Sequence, residues 1–277
     1  MAIVTISRGT YSRGKDVAEK VAACMGYQCL SKERLLEIAT EGKISEAKLA
    51  KALHDSPSLL DRFTSEVERN MHRIRRCFLL HAMRDNLVYH GLAGHFFLCG
   101  LPNVFKVRIT ANMELRIHEE IKRLDISEAE ARRKLIQDDE ERRKWGKRIY
   151  GSDTWDSRLY DMTIHIGQLS IDDAAGIICH AAQNEAFQTT PDVMRQMKDM
   201  LLATEIQIAL EELLPHAVVT AADGHVTVQA ERERPALNEC KVEQIEQCVR
   251  SIMGVEEVCV LPGDRKEDGR INPFHNI

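Results

Sequence analysis

Residues 2–18 read Ala2-Ile-Val-Thr-Ile-Ser-Arg-Gly9-Thr-Tyr-Ser-Arg-Gly14-Lys15-Asp16-Val17-Ala18, and they divide into three parts. Residues 2–7 form a short run rich in β-branched side chains, which predicts a strand. Residues 8–15 form a glycine-bearing loop, and from Asp16 to Met25 the apolar residues Val17, Val21, Ala22 and Cys24 recur at helical spacing. Strand, loop and helix in that order are the setting in which Gly9-x4-Gly14-Lys15 acquires meaning. Backbone N–H groups of such a loop and the helix N-terminus can hold polyphosphate oxygens, while the Lys15 ammonium offsets their charge. Asp16 stands where a Mg²⁺-binding Ser or Thr is usual; a carboxylate there either holds Mg²⁺ through water or suits the first turn of a helix. A tight turn followed by a capped helix explains the same residues, and three fixed positions do not separate the two readings.

Working outward, residues 31–40 have a helical pattern, followed by a polar stretch to Pro57. Residues 59–84 repeat Leu60, Phe63, Val67, Met71, Ile74 and Phe78 at three and four, an amphipathic helix with an arginine-rich outer face. Residues 86–90 and 104–110 read as strands, the second apolar enough for burial in a parallel sheet. Ser127-x-x-Glu130 resembles a capping box opening a helix over 128–143, and 164–166 is a last short strand before a helix over 171–186. Strands alternating with helices predict an α/β fold. After Gln188-Thr-Thr-Pro191 the pattern changes to helix 192–214, strands 217–221 and 225–230 around Asp223-Gly224, helix 235–253 and strand 257–261. This αββαβ unit is of a size to form one small domain.

The chain has 277 residues, 44% hydrophobic and 29% charged, which excludes collagen-like and wholly disordered chains and allows one or two domains. No apolar run is long enough to cross a bilayer and the first residues do not make a signal peptide, so a cytoplasmic location is expected. There the eight cysteines stay as thiols, and Cys240 and Cys248, eight apart, are expected to be buried small hydrophobes rather than zinc ligands. A net charge of −5 argues against a nucleic-acid partner for the chain as a whole. It conceals five cations in Arg142-Arg-Lys-Trp-Gly-Lys-Arg148, preceded by Asp138 to Glu141 and by Arg116, Lys122 and Arg123. Such a cluster suits a mobile lid that closes cations over a transferring phosphoryl group. A solvated helix face laced with Glu–Arg pairs is the plainer reading.

Five stretches taken together resemble the cytidylate kinase-like proteins, a branch of the P-loop nucleoside monophosphate kinases. They are the opening Thr5-Ile-Ser-Arg8 followed by Ser12-Arg-Gly-Lys-Asp-Val-Ala18, Leu87-Val-Tyr-His-Gly-Leu-Ala-Gly94, Pro102-Asn-Val-Phe-Lys-Val-Arg-Ile109 running to Arg116, the segment from Ser127 through Ile136 and Asp139 to Arg142, and Trp155-Asp-x2-Leu-Tyr-Asp-x3-His165. The resemblance implies a three-layer αβα P-loop fold with a parallel sheet and a helical lid over 1–187. It implies transfer from ATP, with Mg²⁺, to a pyrimidine nucleoside monophosphate, CMP or dCMP. Residues Gly9, Ser12, Arg13, Gly14, Lys15, Asp16 and Val17 would cradle ATP, with Lys15 on the transferred phosphate and Arg116 bordering the site. Arg142 and Arg148 would be lid cations, Asp139 would orient Arg142, and Asp16 would reach Mg²⁺ through water. Departures are Arg13 in place of a loop glycine, Leu92 in place of an arginine after Gly91, and His165-Ile166 in place of Asn-Thr. They imply an alternative, a nucleotide-binding regulator that has lost turnover.

Residues 201–262 resemble a BON domain through the hairpin strand Gly224-His-Val-Thr-Val228 and the closing Gly254-Val-Glu-Glu-Val258. Residues 188–200 would connect the two parts, and 263–277 would be a polar tail. The resemblance implies small-ligand or phospholipid binding, or protein association including a homodimer. Packing or dimerisation is the reading that needs least.

Overall fold

The computed structural model describes residues 2–39, 64–91, 94–215, 217–230 and 238–261, without the side chains of 64–70, 145 and 148–150. Its first sheet has five parallel strands in the order β2-β3-β1-β4-β5: β1 Ile3–Arg8, β2 Gln28–Ser31, β3 Leu87–Gly91, β4 Val104–Ala111 and β5 Met162–Ile166. The central strand β1 pairs on both sides, with Ser7 opposite Gly91 on β3 and opposite Arg108 on β4. Ile3, Val4 and Ile6 are therefore almost fully buried, as a strand covered on two faces requires.

Helices α1 (Gly14–Met25) and α7 (Ile171–Ala182) cover one face, where Val17, Val21 and Ile178 pack on Val4, Ile6 and Val107. The other face is covered by α2 (Lys32–Ala39), α3 (Thr64–Ala82) and the single turn α4 (Gly94–Phe97), with Phe78, Tyr89 and Phe96 at its centre. Phe78 lies 4.8 Å from Tyr89 and 5.6 Å from Phe97, ring centre to ring centre, at the tilted angles aromatic pairs prefer. Helices α5 (Met113–Leu124) and α6 (Glu128–Tyr150) rise from the end of β4 and form a small cluster of their own through Ile117, Ala131 and Leu135. The capping box at the start of α6 is formed: Ser127 accepts from Glu130 N–H while the Glu130 carboxylate accepts from Ser127 N–H.

A second, three-stranded sheet follows, in the order β6-β7-β8. Strands β6 (Val218–Ala222) and β7 (His225–Gln229) make the expected antiparallel hairpin with Asp223 and Gly224 both at positive φ, and β8 (Glu257–Leu261) joins β7 in parallel. Helices α8 (Pro191–Ala209) and α9 (Glu239–Arg250) cover it, burying Ile206, Leu210, Ile245 and Val249. Thr190 caps α8 and Pro191 occupies its first turn, so the proposed boundary sequence is a helix start. Among the described residues no helix is long and apolar enough to cross a membrane.

Three sequence expectations are corrected. Residues 28–31 form the edge strand β2, so the helix begins at Lys32; with Leu30 alone buried, Gln28-Cys-Leu-Ser31 carries almost no apolar alternation. Helix α5 went unread because Arg116 and Glu120, polar residues, occupy its buried face. Cys240 is exposed, as are Cys24, Cys29 and Cys259, so the cysteines are free thiols but only Cys77 and Cys179 are buried. The sequence expectations for residues 40–63, the tail from Pro262, Leu92 and the start of a helix at Pro235 fall outside the described residues.

Candidate functional site

The loop after β1 is held in an unusual backbone. Tyr11 (φ 53°) and Arg13 (φ 63°) are both left-handed without being glycine, and Arg13 is the residue on which α1 starts. Each such residue costs on the order of 1 kcal/mol and persists where surrounding contacts enforce it. Alternate left-handed positions in a loop that opens a helix turn backbone N–H groups toward a common side, the arrangement that binds anions. Ser12 is buried and closes the loop on itself, its N–H and its hydroxyl both donating to Gly9 C=O at 3.4 and 3.1 Å. The Thr10 hydroxyl is buried beside it without a hydrogen-bond partner. Gly14 is required by packing: a Cβ there would lie 2.6 Å from Cβ of Arg8, so only glycine lets the loop return over the end of β1.

The side chains of the loop are mostly paired. Arg13 bonds Asp16 at 3.3 Å and Glu119 on α5 at 3.0 Å, and Lys15, well exposed, lies 3.7 Å from Glu19 one turn along α1. Val17 is buried in the core beneath the loop. The loop is braced from above by Arg116, whose Nε donates to Thr10 C=O at 2.7 Å while its two terminal nitrogens bond both Asp139 oxygens at 2.8 and 2.9 Å. Gly9 faces this pair; a Cβ there would come within 3.9 Å of Arg116 and Asp139. One buried fork thus joins the loop, α5 and α6. Asp139 is engaged by Arg116 rather than by Arg142, because the α5 arginine is the one that reaches both carboxylate oxygens.

Arg142 lies one turn beyond Asp139 on α6. Burial, reinforced by the nearby Arg8 charge, lowers its affinity for a proton. The backbone of Arg148 continues the same helix, and its side chain lies outside the described residues. Arg143, the next residue, turns instead to Asp153 and stacks over Trp155 at 5.0 Å, and Arg108 approaches Trp155 and Tyr160 at 5.8 Å each. The plainer reading of the charge run, ion pairs along a helix, describes Lys144, which meets Glu140, whereas Arg143 and Lys147 both reach off α6 to Asp153. Arg142 lies near Arg8, which the sequence offers only as the end of the opening family pattern and without a role, and near Lys32, which it does not single out. Arg8 and Lys32 come together through strand register, at the ends of β1 and β2, and no local motif announces their meeting.

Two buried histidines, His90 on the interior strand β3 and His95 on α4, are neutral. Burial drives His90 down to about 4, with Arg8 adding to the effect, and His95, stacked on Phe96 and Tyr160, down to about 3. His165 is fixed by Thr110 at 3.0 Å and Asn112 at 2.8 Å, ahead of α5. Among the described residues no group of three or more His, Cys, Asp or Glu side chains could hold a metal ion by itself.

The model of a cytidylate kinase-like family matches residues 3–168. No curated protein matches the chain. Among solved structures, one of an uncharacterized protein from Eubacterium ventriosum is 22% identical with a TM-score of 0.51, covering 67% of this chain and all of that one, and so shares the fold. Lower similarities include shikimate kinase from Acinetobacter baumannii in complex with shikimate (16% identical, TM-score 0.38, covering 65% of this chain and 92% of that one). Another is TT1252 from Thermus thermophilus (18%, TM-score 0.40, 66% and 98%).

Proposed function

The chain belongs to the cytidylate kinase-like family, and from that premise we propose that it transfers the terminal phosphoryl group of ATP to a pyrimidine nucleoside monophosphate, CMP or dCMP. The observation that carries the reading is the loop between β1 and α1, whose left-handed turns and buried, unpartnered Thr10 hydroxyl stand ready for a polyphosphate. Phosphoryl transfer asks the protein for position and countercharge more than for covalent chemistry. The loop backbone from Gly9 to Gly14 and the α1 N-terminus would hold the ATP phosphates, with Lys15 released from Glu19 to the transferred group. Arg142 and Arg148 would approach from α6, and Arg116 would hold loop and lid helix together through Thr10 and Asp139. Asp16 would hold Mg²⁺ through water, exchanging its bond to Arg13 for that role, and the ion would supply countercharge to the phosphates. No strong general base is needed, because the acceptor is already a phosphate oxygen.

Purified protein with ATP and a panel of nucleoside monophosphates is expected to give ADP and the matching diphosphate. Turnover no greater than that of Lys15→Ala overturns the reading. One observation favours the alternative, a nucleotide-binding regulator: Arg13, where the family pattern has glycine, spends its charge on Asp16 and Glu119. Saturable ATP binding without transfer, lost in Lys15→Ala, would establish it. We assign residues 201–262 to a BON-like module that binds a small ligand or a second copy of the chain, joined through 188–200 to a kinase-like domain over 1–187, in a cytoplasmic protein.

A further inference from the structure

Arg8 ends β1 and Lys32 begins α2 directly after β2, so two elements bring a cation to the same end of the sheet, and Arg142 on α6 lies near enough for its charge to be felt there. Register places the first two: Ser7, just before Arg8, pairs with Gly91, and Ser31, just before Lys32, pairs with His90, so the two cations flank the end of β3. Gly91 makes the room, since a Cβ there would lie 2.6 Å from Cβ of Lys32 and 2.9 Å from the Tyr89 hydroxyl. Arg8 is folded over Gly14, and its Nε is buried with no hydrogen-bond partner.

Among the described residues no carboxylate lies within ion-pair distance of Arg8, Lys32 or Arg142, although Arg13, Arg116, Arg123, Lys134, Arg143 and Lys147, all close by, each have one. Glu33 is the acidic group that Lys32 senses, and it is outweighed: burial, then Arg142 and Arg8, bring the Lys32 ammonium down to about 8. Half-buried cations that repel one another without a partner are costly, and an anion arriving among them removes the cost.

We propose that Arg8, Lys32 and Arg142 together receive a phosphomonoester dianion, the phosphate of the acceptor, and that Lys32 sets the charge the site demands. This rests on the reading that the neighbouring loop takes ATP, and it supplies the acceptor-side cations that Leu92 does not. A dianion answers two of the three charges, so a singly charged carboxylate or an uncharged nucleoside binds far less well. Two protonations bound the affinity: below about pH 6 a phosphomonoester loses its second charge, and above about 8 the free site loses that of Lys32. The groups facing Lys32 are Arg8 and Arg142, which oppose its protonation, Glu33, which supports it, and the neutral, buried Tyr89 hydroxyl.

Calorimetric titration of the full chain with CMP, cytidine and ATP separately tests the assignment. Lys32→Met is expected to weaken CMP at least tenfold at pH 7, to leave ATP within about twofold, and to abolish the fall in CMP affinity above pH 8, while Lys32→Arg retains CMP and moves that fall higher. Wild-type protein that does not distinguish CMP from cytidine overturns the proposal, as does a Lys32→Met protein that binds CMP normally or loses ATP instead. Its failure is separable from that of the kinase reading: wild-type protein that binds CMP through Lys32 but neither binds nor consumes ATP ends the reading and keeps the site. Lys32→Met, which removes the buried charge, is expected to melt no lower than the wild type at pH 7, and Lys32→Arg close to it, so that binding, not folding, is being read.

Discussion

Arg116 and Arg142 stand on the two helices of the lid-like hairpin, yet they live under opposite conditions. Arg116 is nearly buried and fully answered, by Asp139 on two nitrogens and by Thr10 C=O on the third. Arg142 is partly buried beside two other cations, and among the described residues no carboxylate lies within ion-pair distance of it, Asp139 and Asp138 acting on it only from farther off. The first arrangement builds the site and the second leaves it incomplete until a ligand arrives. Residues that hold a structure together find their partners within the chain, whereas residues awaiting an anion keep their charge unspent, at a cost in stability.

The comparison breaks most visibly through Lys15, which belongs to the waiting class despite its exposed contact with Glu19. Lys15→Ala is expected to lower phosphoryl transfer about 1000-fold, equivalent to about 4 kcal/mol of transition-state stabilisation, with the melting temperature unchanged; coupled assay of ADP release measures it. Next in size is the brace. Asp139→Ala strands the Arg116 guanidinium in a nearly dry site and is expected to cost about 3–5 kcal/mol in urea unfolding, while Asp139→Ala with Arg116→Leu costs clearly less.

A smaller effect sharpens the other side. Because the folded-state value of Lys32 lies below its unfolded one, the unfolded chain binds more protons between about pH 8 and 10, so this residue's contribution to stability rises with pH across that window. Wild-type protein should gain about 1–2 kcal/mol relative to Lys32→Met between pH 8 and 10, read from paired unfolding curves. Smallest of all, Arg142→Met should change apo stability by no more than about 0.5 kcal/mol, upward rather than downward, since it removes repulsion and no bond. A loss as large as that of Asp139→Ala would place Arg142 with Arg116 and erase the distinction.

The same distinction explains what the sequence disclosed. The loop from Gly9 to Asp16 was legible because its parts are contiguous and stand between a strand and a helix. Arg116 and Asp139 were legible as members of a family pattern, but not as each other's partners, since 23 residues and a change of helix separate them. Arg8 was legible only as a member of a family pattern, without a role, and Lys32 not at all. One ends a strand and the other follows one, and their meeting depends on parallel pairing of β1 and β2 with a third strand more than 50 residues later. The α/β alternation and the hairpin at Asp223-Gly224 were readable from apolar period and turn chemistry, whereas α5 was hidden by the polar residues it buries.

Helix α8 carries a mechanical consequence. Its first half inserts Val193 and Met197 into the core beneath the five-stranded sheet, and its second half inserts Ile206 into the core of the small sheet, with Leu210 just past its end, without a break between them. Arg73 and Arg76 of α3 reach across to Glu211 and Glu205 near the same end. The segment expected to connect the two parts is thus a shaft common to two bearings. The small sheet turns about this axis only by twisting the shaft against the aromatic core of the larger one, or by melting it in the middle.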